Sequence, residues 1–368
     1  MRILVLGVGR IGRIVAIDLL EKGYEVYVSD LDKVSITHLT SQYDVKMMDY
    51  GNVYREAVNR AIDLVCTAIP STQTPMVIEK LISNGLNVVD VTGFGDIDPS
   101  KHVKMAQEKG VILSLYNGLA PGLSHILAGR LYKEIDNLES LEIYVGGLPE
   151  TIDPGIIYTF NPIDYLRQYI EPARHIKNGV IITYDPLDYS GIIDIPDIGL
   201  LEYFPTNGLY SLLWNLEDVK NKSEFTLRYM GHLDIMRSLR HIGLLDTDRT
   251  VVVRGLSLTP LEILAEVTSQ TSKTLRDIVI LYVVGRMENK SVGYIMIDKY
   301  DMEKGISAMA RTTGYMHSII AQLYLEKYLD SSIHYPEEIG LRDNMFNIII
   351  RELKRRGIAI EKRTDMSS

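Results

Sequence analysis

Arg2-Ile-Leu-Val-Leu-Gly-Val-Gly-Arg-Ile-Gly12 is the stretch whose reading decides the fold of this 368-residue chain. The apolar run Ile3 to Leu6 passes directly into Gly7-x-Gly9-x-x-Gly12. Ile11, Ile14, Val15, Leu19 and Leu20 then recur on one helical face. The pattern is strand, glycine turn, helix. Gly7 allows the tight turn, Gly9 lets the backbone approach a pyrophosphate, and Gly12 lets helix and strand pack closely. The helix start, with Arg10 and Ile11 in its first turn, offers free N–H groups to the phosphates.

A second strand, Glu25 to Ser29, ends at Asp30, about 20 residues beyond the glycines, where an acid meets the adenosine ribose. A carboxylate there accepts from the ribose hydroxyls and repels a 2′-phosphate, so NAD is expected over NADP. Lys33 lies near enough to oppose that choice weakly. The competing reading is a glycine turn in an α/β domain that binds no nucleotide. The strand before, the helix after and the acid beyond favour the nucleotide.

Composition narrows the rest. A chain of this length exceeds one comfortable core, so two domains are expected. The net charge of −9 argues against a nucleic-acid partner. The single cysteine, Cys66, rules out an internal disulfide and a cysteine-rich metal site, and its place at a strand end suits a buried thiol. The eight histidines show no metal-ligand spacing, so no metal is expected. The longest apolar runs, such as Ile278 to Val284, are too short to span a bilayer. A first strand starting at residue 2 leaves no room for a signal peptide. The expectation is a cytoplasmic protein with no membrane partner.

Strands and helices alternate through the first part. Strands are expected at Ile3–Leu6, Glu25–Ser29, Val45–Met48, Leu64–Ala68, Asn87–Val91 and Val111–Leu115, with helices near 10–22, 33–41, 52–60, 75–84 and 99–109. Six strands make two mononucleotide-binding halves, and ligands gather where such strands stop. From about Leu123 a helix leads into a region of different pattern, read as an α+β domain on a mixed or antiparallel sheet. Its strands are read at 141–145, 180–184, 224–229, 250–254, 277–286 and 292–299, with a hairpin turn at 287–290. Residues 306–329 are expected to return to the first domain, which makes the second an insertion. The expected fold is therefore α/β: a Rossmann doubly wound parallel sheet over 1–122, an inserted α+β domain over 123–305, and C-terminal helices over 306–368. Lys354-Arg355-Arg356 reads as a solvated helix end, and 364–368 as disordered.

Several strand ends carry chemistry-bearing residues. Thr67 and Pro70 follow the fourth strand, and Asp90, Thr92 and Phe94 follow the fifth. Asp90 is a candidate for proton transfer or for holding an ammonium group, against an even alternative as a turn-capping aspartate. Asn117-Gly118-Leu-Ala-Pro-Gly122 turns from the sixth strand into a helix that Ser124 can cap. In the second domain, Thr226-Leu-Arg-Tyr-Met-Gly-His232 places Arg228, Tyr229 and His232 beside a glycine. Arg228 suits a bidentate carboxylate, and His232 titrates nearest neutrality. For Arg228 a structural salt bridge is the competing role. Residues 202–208, with Asn207, read as a polar turn, and Glu171 with Arg174 as an ion-paired helix face.

Taken together, Gly7–Gly12, Asn117-Gly-Leu-Ala-Pro-Gly-Leu-Ser-His125, Gly146-Gly-Leu-Pro149, Pro172–Gly179, Phe204–Leu212, Thr226–His232 and Met309-Ala-Arg-Thr-Thr-Gly314 resemble the saccharopine dehydrogenase-like family, and within it the lysine 6-dehydrogenase branch. Two departures stand out: Ala120 where saccharopine enzymes commonly carry aspartate, and Met230 where a proline is common. The resemblance implies a Rossmann domain, an inserted substrate and dimerisation domain, a homodimer, and NAD-linked chemistry at an amine-bearing carbon of a small molecule. On it, the expected cofactor residues are Gly7, Gly9, Arg10, Ile11, Gly12, Asp30, Thr67, Pro70, Thr92, Asn117 and Gly118. Arg228, Tyr229, Asn207 and Phe94 are expected to face substrate, with Asp90 and His232 handling protons. The leading expectation is oxidative deamination of the L-lysine ε-amine. Saccharopine or carboxynorspermidine, both secondary amines, and a non-catalytic NAD sensor remain as alternatives.

Overall fold

The computed structural model describes residues 1–95, 97–153, 155–271, 276–288 and 290–366. The chain forms two compact units, 1–136 with 310–359, and 137–309 with 360–368.

The first unit is built on six parallel strands, β1 (Arg2–Leu6), β2 (Glu25–Ser29), β3 (Lys46–Met47), β4 (Leu64–Thr67), β5 (Val88–Asp90) and β6 (Leu113–Ser114). Their order is β3-β2-β1-β4-β5-β6. The order reverses between β1 and β4, and a doubly wound sheet leaves its crevice at the strand ends beside that point. Ile3, Leu4, Val5 and Leu6 are all fully buried, as a strand covered by helices on both faces requires.

The return of the C-terminal segment depends on small residues. Gly314, on the helix Ala308–Leu325, would place a Cβ 2.8 Å from that of Ile14, so only glycine lets this helix close on the helix Arg10–Glu21. Gly129 and Gly340 work in the same way between the helices Leu123–Glu134 and Pro336–Gly340. Their added Cβ atoms would meet backbone oxygens of Glu337 and Ile126 at 2.2 and 2.1 Å. This packing keeps the helix after residue 122 in the first unit, so the expected limits at 122 and 305 fall instead at 136 and 309.

The basic cluster read as a solvated helix end is not solvated throughout. Arg356 is half-buried, and its Nε and Nη2 each lie 2.8 Å from one oxygen of buried Asp18. Such a bidentate pair satisfies a charge that would otherwise be costly to bury.

The second unit carries β7 (Ser140–Pro149), β8 (Ala173–Lys177), β9 (Val180–Tyr184), β10 (Gly191–Ile195), β11 (Gly199–Pro205), β12 (Asn221–Tyr229), the separate hairpin β13 (Val251–Val253) and β14 (Leu256–Leu258), β15 (Asp277–Met287), β16 (Lys290–Lys299) and β17 (Glu361–Met366). The main sheet runs β10-β11-β12-β7-β15-β16-β17, with β8 and β9 branching from β12. Among the described residues of this sheet only β12 and β7 pair in parallel, so the sheet is mixed as expected.

Two expectations change here. Residues 202–205 belong to β11 rather than to a turn. The tail to Met366 is a strand paired antiparallel with β16, because that edge offers backbone partners to a segment too polar to suggest a strand. Residues 367 and 368 lie outside the described residues, as does Asn289 of the expected hairpin turn, although Met287 and Lys290 pair across it. No described helix is long and apolar enough to cross a membrane.

Candidate functional site

The glycine loop has the shape its sequence requires. Gly7 has φ +91°, and a Cβ there would lie 2.5 Å from the Ala68 oxygen. A Cβ on Gly12 would lie 1.8 Å from the Gly7 oxygen, so helix and turn are in direct backbone contact. A Cβ on Gly9 would meet nothing within 4 Å. The loop is thus tight on its inner side and open at the glycine that a pyrophosphate approaches. Gly9 caps the helix with no side-chain bond, and the first turn holds no acid to repel an anion. Arg10 is exposed and Ile11 half-buried in that turn. Asp30 secures the loop from the end of β2: its Oδ2 accepts from Val8 N at 2.6 Å and its Oδ1 from Asp32 N at 2.9 Å. These residues fit a dinucleotide.

Further along the same strand ends, a buried network takes up several residues expected to line the cofactor crevice. Asp90 is fully buried. Its Oδ1 accepts from Thr67 Oγ1 at 2.5 Å, and its Oδ2 accepts from the Gly93 N–H. Burial pushes its pKa up to about 7, against the pull of these bonds. Asn117, also buried, donates to the Asp90 carbonyl through its own N (2.9 Å) and its Nδ2 (3.1 Å). Gly93, at φ +72°, sits under the Tyr116 ring, where a Cβ would clash at 1.8 Å. Asp90 is therefore a turn-holding aspartate with both oxygens engaged, and Thr67 and Asn117 support it from inside. Phe94 is also turned inward, edge-on to His102 with centroids 4.6 Å apart, and does not present a substrate wall.

The outer residues of this edge are Thr92, which shares a hydroxyl contact with Thr74 at 3.2 Å, and Pro70, which is exposed. The loop at Gly118 closes on itself, its N–H donating to Pro121 O at 3.1 Å. Ser124 does not cap the following helix; its hydroxyl pairs with His125 Nδ1 at 3.0 Å.

In the second unit, strand alternation sorts the expected residues. Lys222, Glu224, Thr226 and Arg228 lie on one face of β12 and are all buried. Tyr229 points to the other face, where its hydroxyl donates to Pro149 O at 2.8 Å within an apolar cluster. It is not beside Arg228. Asn207 Oδ1 accepts from Arg174 Nε at 3.3 Å, and Glu171 lies 4.0 Å from Arg167.

Arg228 is 3% exposed and sits among rings. Its guanidinium carbon lies 4.6 Å from the Tyr165 centroid, 5.7 Å from that of Tyr169 and 5.8 Å from that of Phe204. Nε donates to Tyr169 Oη at 2.6 Å, Nη1 to Leu227 O at 2.9 Å and Nη2 to Gln168 Oε1 at 3.0 Å. Every partner is neutral, and among the described residues no carboxylate forms an ion pair with it. The acid nearest in its own row, Glu224, feels the charge of Arg228, but burial outweighs that pull and pushes its pKa up to about 7 while it is bonded to the Thr206 hydroxyl. His232 has both ring nitrogens engaged, Nε2 with Tyr169 Oη (2.8 Å) and Nδ1 with Gly155 O (3.2 Å), and so belongs to the Arg228 network rather than standing as an open acid or base.

Tyr169, Gln168 and Glu224 are absent from the sequence reading. A Tyr165/Tyr169 pair at helical spacing and the alternation in β12 were the available signals.

The model of the saccharopine dehydrogenase C-terminal domain matches residues 118–358, well over half of the chain. The chain belongs to the saccharopine dehydrogenase family. Residues 2–93, which hold the glycine loop and Asp30, match a second family, described as NADP oxidoreductase, coenzyme F420-dependent. The protein is accordingly an NAD(P)-dependent oxidoreductase of the saccharopine dehydrogenase family, of amino-acid dehydrogenase type. Among solved structures it is similar to apo saccharopine dehydrogenase (L-Glu forming) from Saccharomyces cerevisiae, at 19% identity and TM-score 0.80 over 99% of each chain, a likeness of fold. Weaker likenesses include a UDP-N-acetylglucosamine 3-dehydrogenase from Acidithiobacillus ferrooxidans (12% identity, TM-score 0.43, 97% of each chain) and a putative myo-inositol dehydrogenase from Sinorhizobium meliloti (12%, 0.46, 100% of each).

Proposed function

We propose that this saccharopine dehydrogenase-family protein oxidises a primary amine with NAD, taking the ε-amine of L-lysine to 2-aminoadipate semialdehyde. The observation that carries the substrate class is Arg228. A buried guanidinium surrounded by neutral partners is costly until an anion completes it, and an amino-acid carboxylate is such an anion. Lysine offers that carboxylate at one end and a primary amine at the other.

Gly7, Gly9 and Gly12 would hold the pyrophosphate and Asp30 the adenosine ribose. The N-terminal match bears an NADP name, but Asp30 at the end of β2 is the feature of this chain that favours NAD. Bound NAD supplies the hydride acceptor for the amine-bearing carbon, and hydrolysis of the imine so formed releases ammonia and the aldehyde. Asp90 keeps the Gly93 turn in place from beneath and touches no reactant. Arg228 binds and orients the α-carboxylate. The second unit serves as the substrate and dimerisation domain of a cytoplasmic homodimer, which light scattering on the purified protein would check.

Incubation with L-lysine and NAD should produce NADH, read at 340 nm, and ammonia in equal amounts. NADH formation from saccharopine but not from lysine would move the protein to secondary amines. Tight NAD binding without turnover of any amine would make it a sensor.

A further inference from the structure

The polar face of β12 is completed by a residue outside the strand. Tyr169 follows the helix Pro162–Arg167, is fully buried, and stacks on Phe204 with centroids 4.8 Å apart and rings 18° from parallel. Its hydroxyl lies 2.6 Å from Arg228 Nε and 2.8 Å from His232 Nε2. A guanidinium N–H can only donate, so the Tyr169 oxygen accepts there and its one proton goes to His232. Nε2 of His232 therefore accepts. The ring proton then sits on Nδ1, 3.2 Å from the Gly155 carbonyl, which can only accept. The four groups satisfy one another in a single direction, from Arg228 through Tyr169 and His232 to Gly155.

We infer that Tyr169 is the positioning residue of the Arg228 anchor and that it holds His232 as the neutral Nδ1–H tautomer. With Nε tied to Tyr169, and one N–H of each Nη held by Leu227 O and Gln168 Oε1, the guanidinium plane is fixed against the rings of Tyr165 and Phe204, and the second N–H of each Nη is what meets a carboxylate. The neutral tautomer matters for charge. A protonated His232 would donate from both nitrogens, could not accept from Tyr169, and would add a second buried cation beside Arg228. Tyr169 thus sets both the direction and the charge of the anchor without touching substrate. The inference rests on the reading of Arg228 as the carboxylate anchor.

Two measurements test it, and Tyr169→Phe is the variant for both, because the ring that stacks on Phe204 is retained. The first is the ratio of kcat/KM for L-lysine to that for 1,5-diaminopentane, which is lysine without its carboxylate. Loss of one charge-assisted hydrogen bond should cut this ratio about tenfold, through a higher KM for lysine rather than a lower kcat. His232→Gln, whose amide oxygen can still accept from Tyr169, should retain more of the ratio than His232→Leu. A ratio unmoved in Tyr169→Phe, with Arg228→Ala lowering it, would overturn the inference and leave the anchor standing. A ratio unmoved in Arg228→Ala would overturn the anchor itself.

The second measurement needs no substrate, so it decides even if neither amine is turned over. Long-range ¹H–¹⁵N spectra should show the Nδ1–H tautomer of His232 in the wild-type protein and a mixture in Tyr169→Phe. The Nε2–H tautomer in the wild type would overturn the inference.

Discussion

Asp90 offers a prediction whose size follows from its surroundings. Its carboxyl is fully buried, bonded to Thr67 and Gly93, and carries a pKa raised from the ordinary 3.8 to about 7. A raised value means that the folded state binds the proton more tightly than the unfolded chain. The resulting stability is fully present below 3.8 and is lost as the pH rises through about 7. At ~1.4 kcal/mol per pH unit, the difference between the two values costs about 4 kcal/mol at pH 8. At pH 5 the unfolded chain is already ionised while the folded carboxyl is not, and the cost is about 2 kcal/mol. Asp90→Asn removes the titration and keeps one oxygen for the Thr67 hydroxyl. Urea unfolding of both proteins, followed by far-UV circular dichroism at pH 5 and pH 8, isolates the effect. Glu224 and every other titrating group are common to both and cancel. The stability of the wild type relative to Asp90→Asn should fall by about 2–3 kcal/mol between the two pH values. A difference that stays constant within about 0.5 kcal/mol would refute the account of Asp90 as a buried, proton-binding turn support.

The other predictions are local. Tyr229→Phe should cost about 1 kcal/mol of stability by removing the bond to Pro149 O, without changing KM for lysine, because Tyr229 faces away from Arg228. A raised KM in Tyr229→Phe would return it to the substrate side. Gly9→Ala should leave the melting temperature unchanged, since its Cβ enters open space, yet weaken NAD in calorimetry. Gly12→Ala, forced against the Gly7 oxygen, should lower the melting temperature as well, through strain of about 1–3 kcal/mol. Equal behaviour of the two glycine variants would contradict the assignment of open and closed sides to the loop.

Local patterns in the sequence carried most of the first unit. The run from Ile3 to Gly12 and the acid at Asp30 are contiguous signals, and the alternation of strands and helices is enough to specify a doubly wound sheet. The interior of the site was less legible. Asp90, Thr67 and Asn117 look from sequence like strand-end residues at a ligand crevice, and only the positive-φ turn at Gly93 under Tyr116 shows that they face inward. Arg228 and Tyr229 are adjacent in sequence and so look like one site, although adjacent strand residues face opposite ways and alternation already separates them. Tyr169 and Gln168 stand 59 and 60 residues from Arg228, and nothing local marks so long a contact. Arg356 and β17 are hard to read for a related reason: a basic or polar segment reads as solvated until Asp18 or the edge of β16 supplies its partner.

The central claim is that a substrate carboxylate completes the buried charge of Arg228. Its most direct test is kcat/KM for L-lysine relative to 1,5-diaminopentane in the wild-type protein and in Arg228→Ala. The account predicts that the wild type prefers lysine and that this preference falls about a hundredfold or more in the variant, as for loss of one partner of a buried charge pair. An unchanged preference in a variant that still folds and binds NAD would contradict it.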